Sequence, residues 1–256
     1  MDELLVSVII PAHNCAHLIC QAIDSALIQD VPMEILVIND GSRDNLDEVM
    51  KQYAQEPRVC YLKNEKNMGV AKTRNRGVGL AKGTYIAFLD ADDYWMENKL
   101  KKQLALIQNT SVVISSTARE LMLPSGELTG HIIPVKETLT YQDLLHHNQI
   151  NCSSVLIRTE VAREFPMFHD DSHEDYLTWM KVLEKYGMAL CINEPLLKYR
   201  VSITGKSGTK WKSAKMTFQA YRYMGFGWVK SIWCFCHYAF NGTVKYFEWF
   251  TRRQKK

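Results

Sequence analysis

Four short apolar runs, each closed by a cluster of polar or turn-forming residues, constrain this chain more than any other feature. Val6–Ile10 reads as a buried strand ended by Pro11, and Glu34–Ile38 as a second strand closed by Asn39-Asp40-Gly41-Ser42. Val59–Leu62 is a short third strand, and Tyr85–Leu89 a fourth that runs into Asp90-Ala91-Asp92-Asp93. Between them lie helical periodicities over His17–Gln29, Asn45–Tyr53 and Val70–Ala81. Strands separated by helices of this length build right-handed βαβ units and a mostly parallel sheet, whose ligands bind at the carboxyl ends of the strands. Three polar clusters fall at such ends: Ala12 to Asn14, Asp40 to Ser42, and Asp90 to Asp93.

The middle is less regular. Val112–Ser116 and Ser153–Ile157 read as strands, Glu120–Pro134 as a loop or hairpin, and Thr140–His146 as a short capped helix. Asp175–Tyr186 reads as a helix stopped by Gly187, Ala189–Asn193 as a last strand, and the Gly/Ser/Lys-rich Ser202–Ser213 as a mobile link. The boundaries drawn from this pattern are 1–105 and 106–205, two halves of one domain, followed by an extension over 206–256. A hydrophobic share of 46% suffices for a full core, so disorder and small disulfide-stapled classes are excluded. No apolar run reaches the ~18–20 residues that span a bilayer, and the start of the chain reads as strand rather than signal peptide. Seven scattered cysteines without a CxxC pair point to reduced residues, most of them in the core, and a cytoplasmic setting.

Charge is unevenly placed. From Lys198 onward there are 13 Lys/Arg and one acid, Glu248, which leaves 18 Lys/Arg and 27 acids for the first 197 residues. The same last 59 residues hold 15 of the 27 aromatics, so the chain carries an acidic body and a basic, aromatic tail. Interleaved Trp, Tyr, Lys and Arg fit the face of an anionic membrane, and equally a helical unit that packs its rings on the body. No recognised nucleic-acid motif accompanies them.

Each polar cluster has two readings. Three carboxylates in Asp90–Asp93 repel one another unless a cation such as Mg²⁺ or Mn²⁺ joins them; the other reading is acids at the head of a helix from Tyr94 to Leu106. Asp40 suits a hydrogen bond to a base or ribose, or an Asx turn. Arg74, on the first turns of a helix after Asn67-x-Gly69, suits a diphosphate or a solvated helix face. Glu174-Asp175 offers a general base or an N-terminal helix cap.

Taken in order and spacing, Pro11-Ala-His-Asn14, Asn39-Asp-Gly-Ser42, Asn67-x-Gly69-x-Ala71-x-x-Arg74-Asn75, Asp90-Ala-Asp-Asp93 and Glu174-Asp175 resemble the family 2 glycosyltransferases of the GT-A fold, over roughly residues 5 to 205. The resemblance implies a Rossmann-like α/β domain that binds a nucleotide diphosphate sugar, with UDP the expected nucleotide, and transfers one sugar with inversion. It implies Pro11, Ala12 and Asn14 at the base and ribose, Asp40 on the uracil N3–H, and Asn67, Gly69 and Arg74 along the nucleotide and diphosphate. Asp90 would touch the ribose, Asp92 would hold the divalent metal, Asp175 would be the catalytic base, and Ala91, Asp93 and Glu174 would lie near the transferred sugar. A glycan or polyprenyl-linked acceptor at the cytoplasmic face of the membrane is the implied partner.

The chain departs from the family in three places. Asn39 replaces an acid, Tyr199-Arg200 is followed by no histidine to complete a metal site, and Thr178-Trp-Met-Lys181 replaces the motif of processive members. Other enzyme classes fit less well. A DxD phosphohydrolase lacks its Thr, since Tyr94 stands there; a sugar nucleotidyltransferase lacks the glycine-rich first loop; a dehydrogenase lacks G-x-G-x-x-G. The rival from another class is a degenerate nucleotide-binding domain that scaffolds a membrane polysaccharide assembly, against which the intact Asp92 and Asp175 argue.

Overall fold

The computed structural model describes residues 6–201 and 210–239. Its frame is one ten-stranded sheet. The first half holds β1 (Val6–Ala12), β2 (Met33–Asn39), β3 (Val59–Lys63) and β4 (Tyr85–Phe88), all parallel, in the order β3-β2-β1-β4. Helices α1 (Ile19–Leu27), α2 (Leu46–Met50) and α3 (Val70–Leu80) connect them. The second half holds β5 (Tyr94–Trp95), α4 (Lys99–Ile107), β6 (Ile114–Met122), β7 (Leu128–Ile133), β8 (Thr138–Thr140), α5 (Tyr141–His146), β9 (Leu156–Arg158), α6 (Thr159–Glu164), α7 (Glu174–Tyr186) and β10 (Met188–Arg200). β9 runs antiparallel between β4 and β6, and the sheet continues through β10 to β5, with β7 and β8 paired alongside β6 and β10.

Period-2 burial explains the unbroken apolar runs. Val8, Ile10, Ile35 and Val37 pack under α1, α2 and α4, while Ile9, Leu36, Ile38 and Phe88 pack against the layer of α3, α6 and α7. Helices cover both faces, so neither side of a strand can be polar. Thr140 caps α5 as expected, in a capping box with Asp143, and Gly187 ends α7 at φ 90°.

Three expectations change. The helix drawn from Tyr94 begins instead at Lys99, after β5, because Trp95 is pinned by its N–H to Ser25 Oγ (3.0 Å) and its Nε1 to the Ser153 carbonyl (2.6 Å). β10 extends well past Asn193: its register against β6 slips between Ile192 and Leu197, so the chain bulges around Pro195 and re-pairs. Residues 210–213 of the expected link lie in α8 (Lys210–Tyr223); the rest of that link falls outside the described residues.

After α8 a second helical stretch covers 228–239, and the pair packs on α5 and α7. Tyr221 is fully buried and donates to the Leu145 carbonyl at 2.8 Å, and Cys234 joins the same core. Phe226, Phe235 and Tyr238 face this core, whereas Trp211, Trp228, Val229, Ile232 and Trp233 face outward. All seven cysteines are free thiols, four of them buried. Among the described residues no helix is long and apolar enough to cross a membrane.

The closest packing of α3 on the sheet is at Gly77, where an added Cβ would stand 2.6 Å from Ile9 Cγ2 and 3.0 Å from Ile38 Cδ1. Gly77→Val is expected to cost about 2–3 kcal/mol by overpacking. Gly79→Ala on the same helix meets nothing within 4 Å and should gain about 0.5–1 kcal/mol. Urea unfolding of both variants checks this, and equal effects would remove the steric account.

Candidate active site

The carboxyl ends of β1 and β2 open into a cavity of about 330 Å³. Pro11, Ala12 and His13 form one wall, Asp40 the floor, and Asn67, Gly69, Val70 and Thr73 the opposite wall, with Asp170 reaching in from the loop before α7. Asp40 is buried, and its carboxylate accepts from Met68 N (2.8 Å), Gly69 N (3.0 Å) and Asn64 Nδ2 (2.7 Å). The Asx-type bond belongs to Asn39, whose Oδ1 accepts from Ser42 N at 2.8 Å; Asp40 instead fixes the turn into α3 and lines the cavity. Gly69 holds the turn into α3 at φ 89°, and Gly41, at φ 69° in the turn after β2, packs against it: a Cβ on Gly41 would lie 2.6 Å from Asn67 N.

Asn14 sits beside the cavity rather than in its wall. In the left-handed region at φ 51°, it accepts from Arg43 N through Oδ1 (2.8 Å) and donates from its own N–H to Ser42 Oγ (3.0 Å). That ties the end of β1 to the turn after β2. Asn67, exposed at the cavity mouth, closes a local turn by accepting from Gly69 N at 3.1 Å.

Arg74 connects this cavity to the acids. It is only 4% exposed; Nη2 pairs with Asp90 Oδ1 at 2.5 Å and Nη1 with Glu174 Oε1 at 2.9 Å. Its guanidinium is thus engaged by two carboxylates, one 16 and the other 100 residues further along the chain, which makes neither a solvated helix face nor an open diphosphate contact. Burial works against its charge, and Asp90 and Glu174 restore it. The pairing brings the start of α7, and with it Asp175, to the Asp90–Asp93 loop.

That loop is held on its other sides too. Asp90 N donates to Ser153 Oγ (3.1 Å), Arg200 N donates to Asp93 Oδ1 (2.9 Å), and Arg200 Nε donates to the Asp92 carbonyl (2.9 Å). Ala91 is buried, and Asp93 is buried with Oδ2 lacking a partner. Burial and then the charge of Asp90 push the Asp92 carboxyl up to about 6. Asp93 is pushed up in the same way, by burial and by both neighbouring acids. Asp175 is raised by burial and the charge of Glu174, with Arg74 and His173 opposing.

Among the described residues no three His, Cys, Asp or Glu side chains converge as a ready cation cage. The donors present nevertheless suit a hard divalent ion that arrives with a phosphate. Asp92 is a carboxylate whose charge is held back by burial and by Asp90, while Asp90 already pairs with the Arg74 guanidinium and Asp93 accepts from the Arg200 backbone N–H. A larger open groove of about 930 Å³, between α1, β5 and the bulged part of β10, contains none of the sequence-predicted residues.

Sequence reading passed over His13, Thr73, Ser153, Asp170 and Arg200. His13 and Thr73 lay inside quoted motifs and Arg200 beside one; Ser153 and Asp170 reach the site only through tertiary contacts. The raised Asp92 carboxyl gives a test. Its folded-state value lies above the unfolded one, so its favourable contribution is complete below about pH 4 and is lost as pH rises through about 6. Without added metal, Asp92→Asn should be about 1–3 kcal/mol more stable than the parent above pH 6 and indistinguishable below pH 4. Melting curves across pH check it, and a variant less stable at pH 7 would contradict it.

Comparison with known proteins gives the family and the fold. The family model described as glycosyl transferase family 2 matches residues 7–163. The chain is 36% identical over 94% of its length to TuaG of Bacillus subtilis, a glycosyltransferase ascribed to teichuronic acid biosynthesis, covering 97% of that protein. It is 32% identical over 94% of its length to WfaP of Escherichia coli, a UDP-Glc:alpha-D-GlcNAc-diphosphoundecaprenol beta-1,3-glucosyltransferase, covering 95% of it. The fold is that of Staphylococcus aureus TarS 1–349 bound to UDP-GlcNAc (TM-score 0.71, 20% identity, 86% of this chain and 65% of that one). It is equally that of the Pyrobaculum calidifontis mannosyltransferase PcManGT with GDP-Man and Mn²⁺ (TM-score 0.68, 18% identity, 87% of this chain and 64% of that one). The mixed α/β frame is accordingly of the GT-A type, and the chain belongs to glycosyl transferase family 2.

Proposed function

We propose that this glycosyltransferase moves one sugar from a UDP-sugar to a hydroxyl of a glycan or lipid-linked acceptor, with inversion at the anomeric carbon. The observation that carries the reading is the Arg74 bridge, which holds Asp90 and Glu174 together and so sets Asp175 beside the acid loop. Pro11, Ala12, Asp40, Asn67 and Gly69 would take the nucleotide, and Asp90 the ribose. Asn14 would act by holding the turn, and Arg74 by fixing the two carboxylates it pairs with. TarS and WfaP, each named with a UDP-sugar, support the choice of uridine nucleotide, and WfaP supports a lipid-linked acceptor.

The chemistry follows from the groups available. A sugar hydroxyl is a poor nucleophile, so Asp175 takes its proton while the new carbon–oxygen bond forms and the bond to the diphosphate breaks. Burial and the charge of Glu174 raise its pKa, which makes it a stronger base than an exposed aspartate. Inversion follows from a single displacement, giving a β-linkage from an α-linked donor. Asp92 would hold Mn²⁺ or Mg²⁺ with the donor; such an ion neutralises charge gathering on the leaving diphosphate. Ala91, Asp93 and Glu174 would lie near the transferred sugar.

The C-terminal helices support contact with the cytoplasmic membrane face. Trp211 and Val229, 86% and 85% exposed, lie outward with Trp228, Ile232 and Trp233, among Lys215 and Lys230. Indoles favour the lipid–water boundary, and each base near an anionic leaflet adds about 1 kcal/mol.

Two measurements test the reading. Asp175→Asn should lower kcat by about 10²–10⁴ while UDP affinity, measured by calorimetry with Mn²⁺, stays within about twofold. Undiminished turnover would remove Asp175 as the base. The parent chain should co-sediment with vesicles containing phosphatidylglycerol, and Trp228→Ala with Trp233→Ala should weaken that binding by about tenfold or more. Sedimentation equal to that with neutral vesicles, and insensitive to salt, would sink the membrane assignment.

A further inference from the structure

The loop Phe168–His173 lies between the donor cavity and the C-terminal helices, and its two adjacent acids point in opposite directions. Asp170 turns into the cavity. Its Oδ1 accepts from Ala71 N at 3.2 Å, and its Oδ2 lies 2.4 Å from where a Cβ on Gly69 would be, so the carboxylate rests on the glycine at the head of α3. Asp171 turns away and accepts from Tyr223 Oη (2.7 Å) and Gln219 Nε2 (3.1 Å), both on α8. His169, in the left-handed region at φ 68°, stacks on the Tyr223 ring with centroids 3.6 Å apart. His173 reaches Ser213 on the same helix, and two residues later stands Asp175.

We infer that this loop is an electrostatic gate on the donor cavity, held closed by α8. The inference rests on the reading of that cavity as the UDP-sugar site. A carboxylate seated at the first turn of an eleven-residue helix, with the Ala71 N–H as its donor, occupies ground that favours an anion, and it repels an arriving diphosphate. Donor binding therefore requires the loop to swing out, and apparent affinity falls by the fraction of molecules whose loop is open. The hydroxyl of Tyr223 and the amide of Gln219, with the His169 stack, set that fraction. The helices that present the exposed indoles thereby control entry of the donor, and the same movement reaches α7 at its first turn.

The experiment compares UDP and uridine binding by calorimetry, without sugar acceptor, for the parent chain, Asp170→Asn and Tyr223→Phe. Asp170→Asn keeps the size of the side chain and removes its charge. It should bind UDP at least about fivefold more tightly and uridine unchanged, since uridine brings no phosphate to repel. Tyr223→Phe loosens the tether without touching the cavity and should tighten UDP in the same direction. Unchanged UDP affinity in Asp170→Asn would overturn the gate. Equal weakening of UDP and uridine would also overturn it, because Asp170 would then be a donor contact. Tightening in Asp170→Asn with none in Tyr223→Phe would overturn control by α8. If the parent chain binds neither nucleotide, the donor-site reading fails and the gate falls with it; binding of UDP without tightening in Asp170→Asn leaves that reading standing and removes the gate alone.

Discussion

The buried guanidinium of Arg74 is the interaction on which the rest of the site depends. Taking a cation out of water costs several kcal/mol, and only well-placed anions offset it. Asp90 comes from the end of β4 and Glu174 from the start of α7, so satisfying one arginine on α3 places three elements in a single arrangement. Ser153 and Arg200 then hold the acid loop from two more directions. Groups fixed in this way need little reorganisation when charge develops on a reacting molecule, which is where electrostatic catalysis draws its strength.

The acids cannot all be ionised in comfort. Asp92, Asp93 and Asp175 are each raised by burial and by a carboxylate neighbour, while Arg74 and Arg200 lie close by. Such crowding is unfavourable for the protein alone and favourable only with positive charge or protons to take up. A divalent ion held by Asp92, as proposed, would relieve that crowding.

Much of this was legible in the chain because it is local. Strand-end polar clusters, the Asn-Asp-Gly turn and the Glu-Asp pair announce themselves within a few residues, and the structure puts Asp40 and the Asp90–Asp93 loop at the ends of β2 and β4. What was not legible is long-range. The partners of Arg74 lie 16 and 100 residues away, and those of Arg200 up to 179. Helical periodicity after Tyr94 gave way to a two-residue strand because Trp95 finds partners in Ser25 and Ser153, a tertiary gain that outweighs propensity. The tail offered two readings, membrane surface or packed subdomain. Its described part packs Tyr221 and Phe235 inward, as the packed reading has it, and leaves Trp211 and Trp233 exposed.

The bulge in β10 has a mechanical meaning. Between Ile192 and Leu197 the strand takes five steps while β6 takes two, from Thr117 to Arg119, and pairing then resumes through Arg200. The surplus is gathered at the rim, where Glu194 meets Lys102 and Asn193 accepts from Val135 N. Register is therefore set afresh on the site side of the surplus. Length added or removed at the rim can be absorbed there as slack, and the end of the strand that clasps the acid loop keeps its phase.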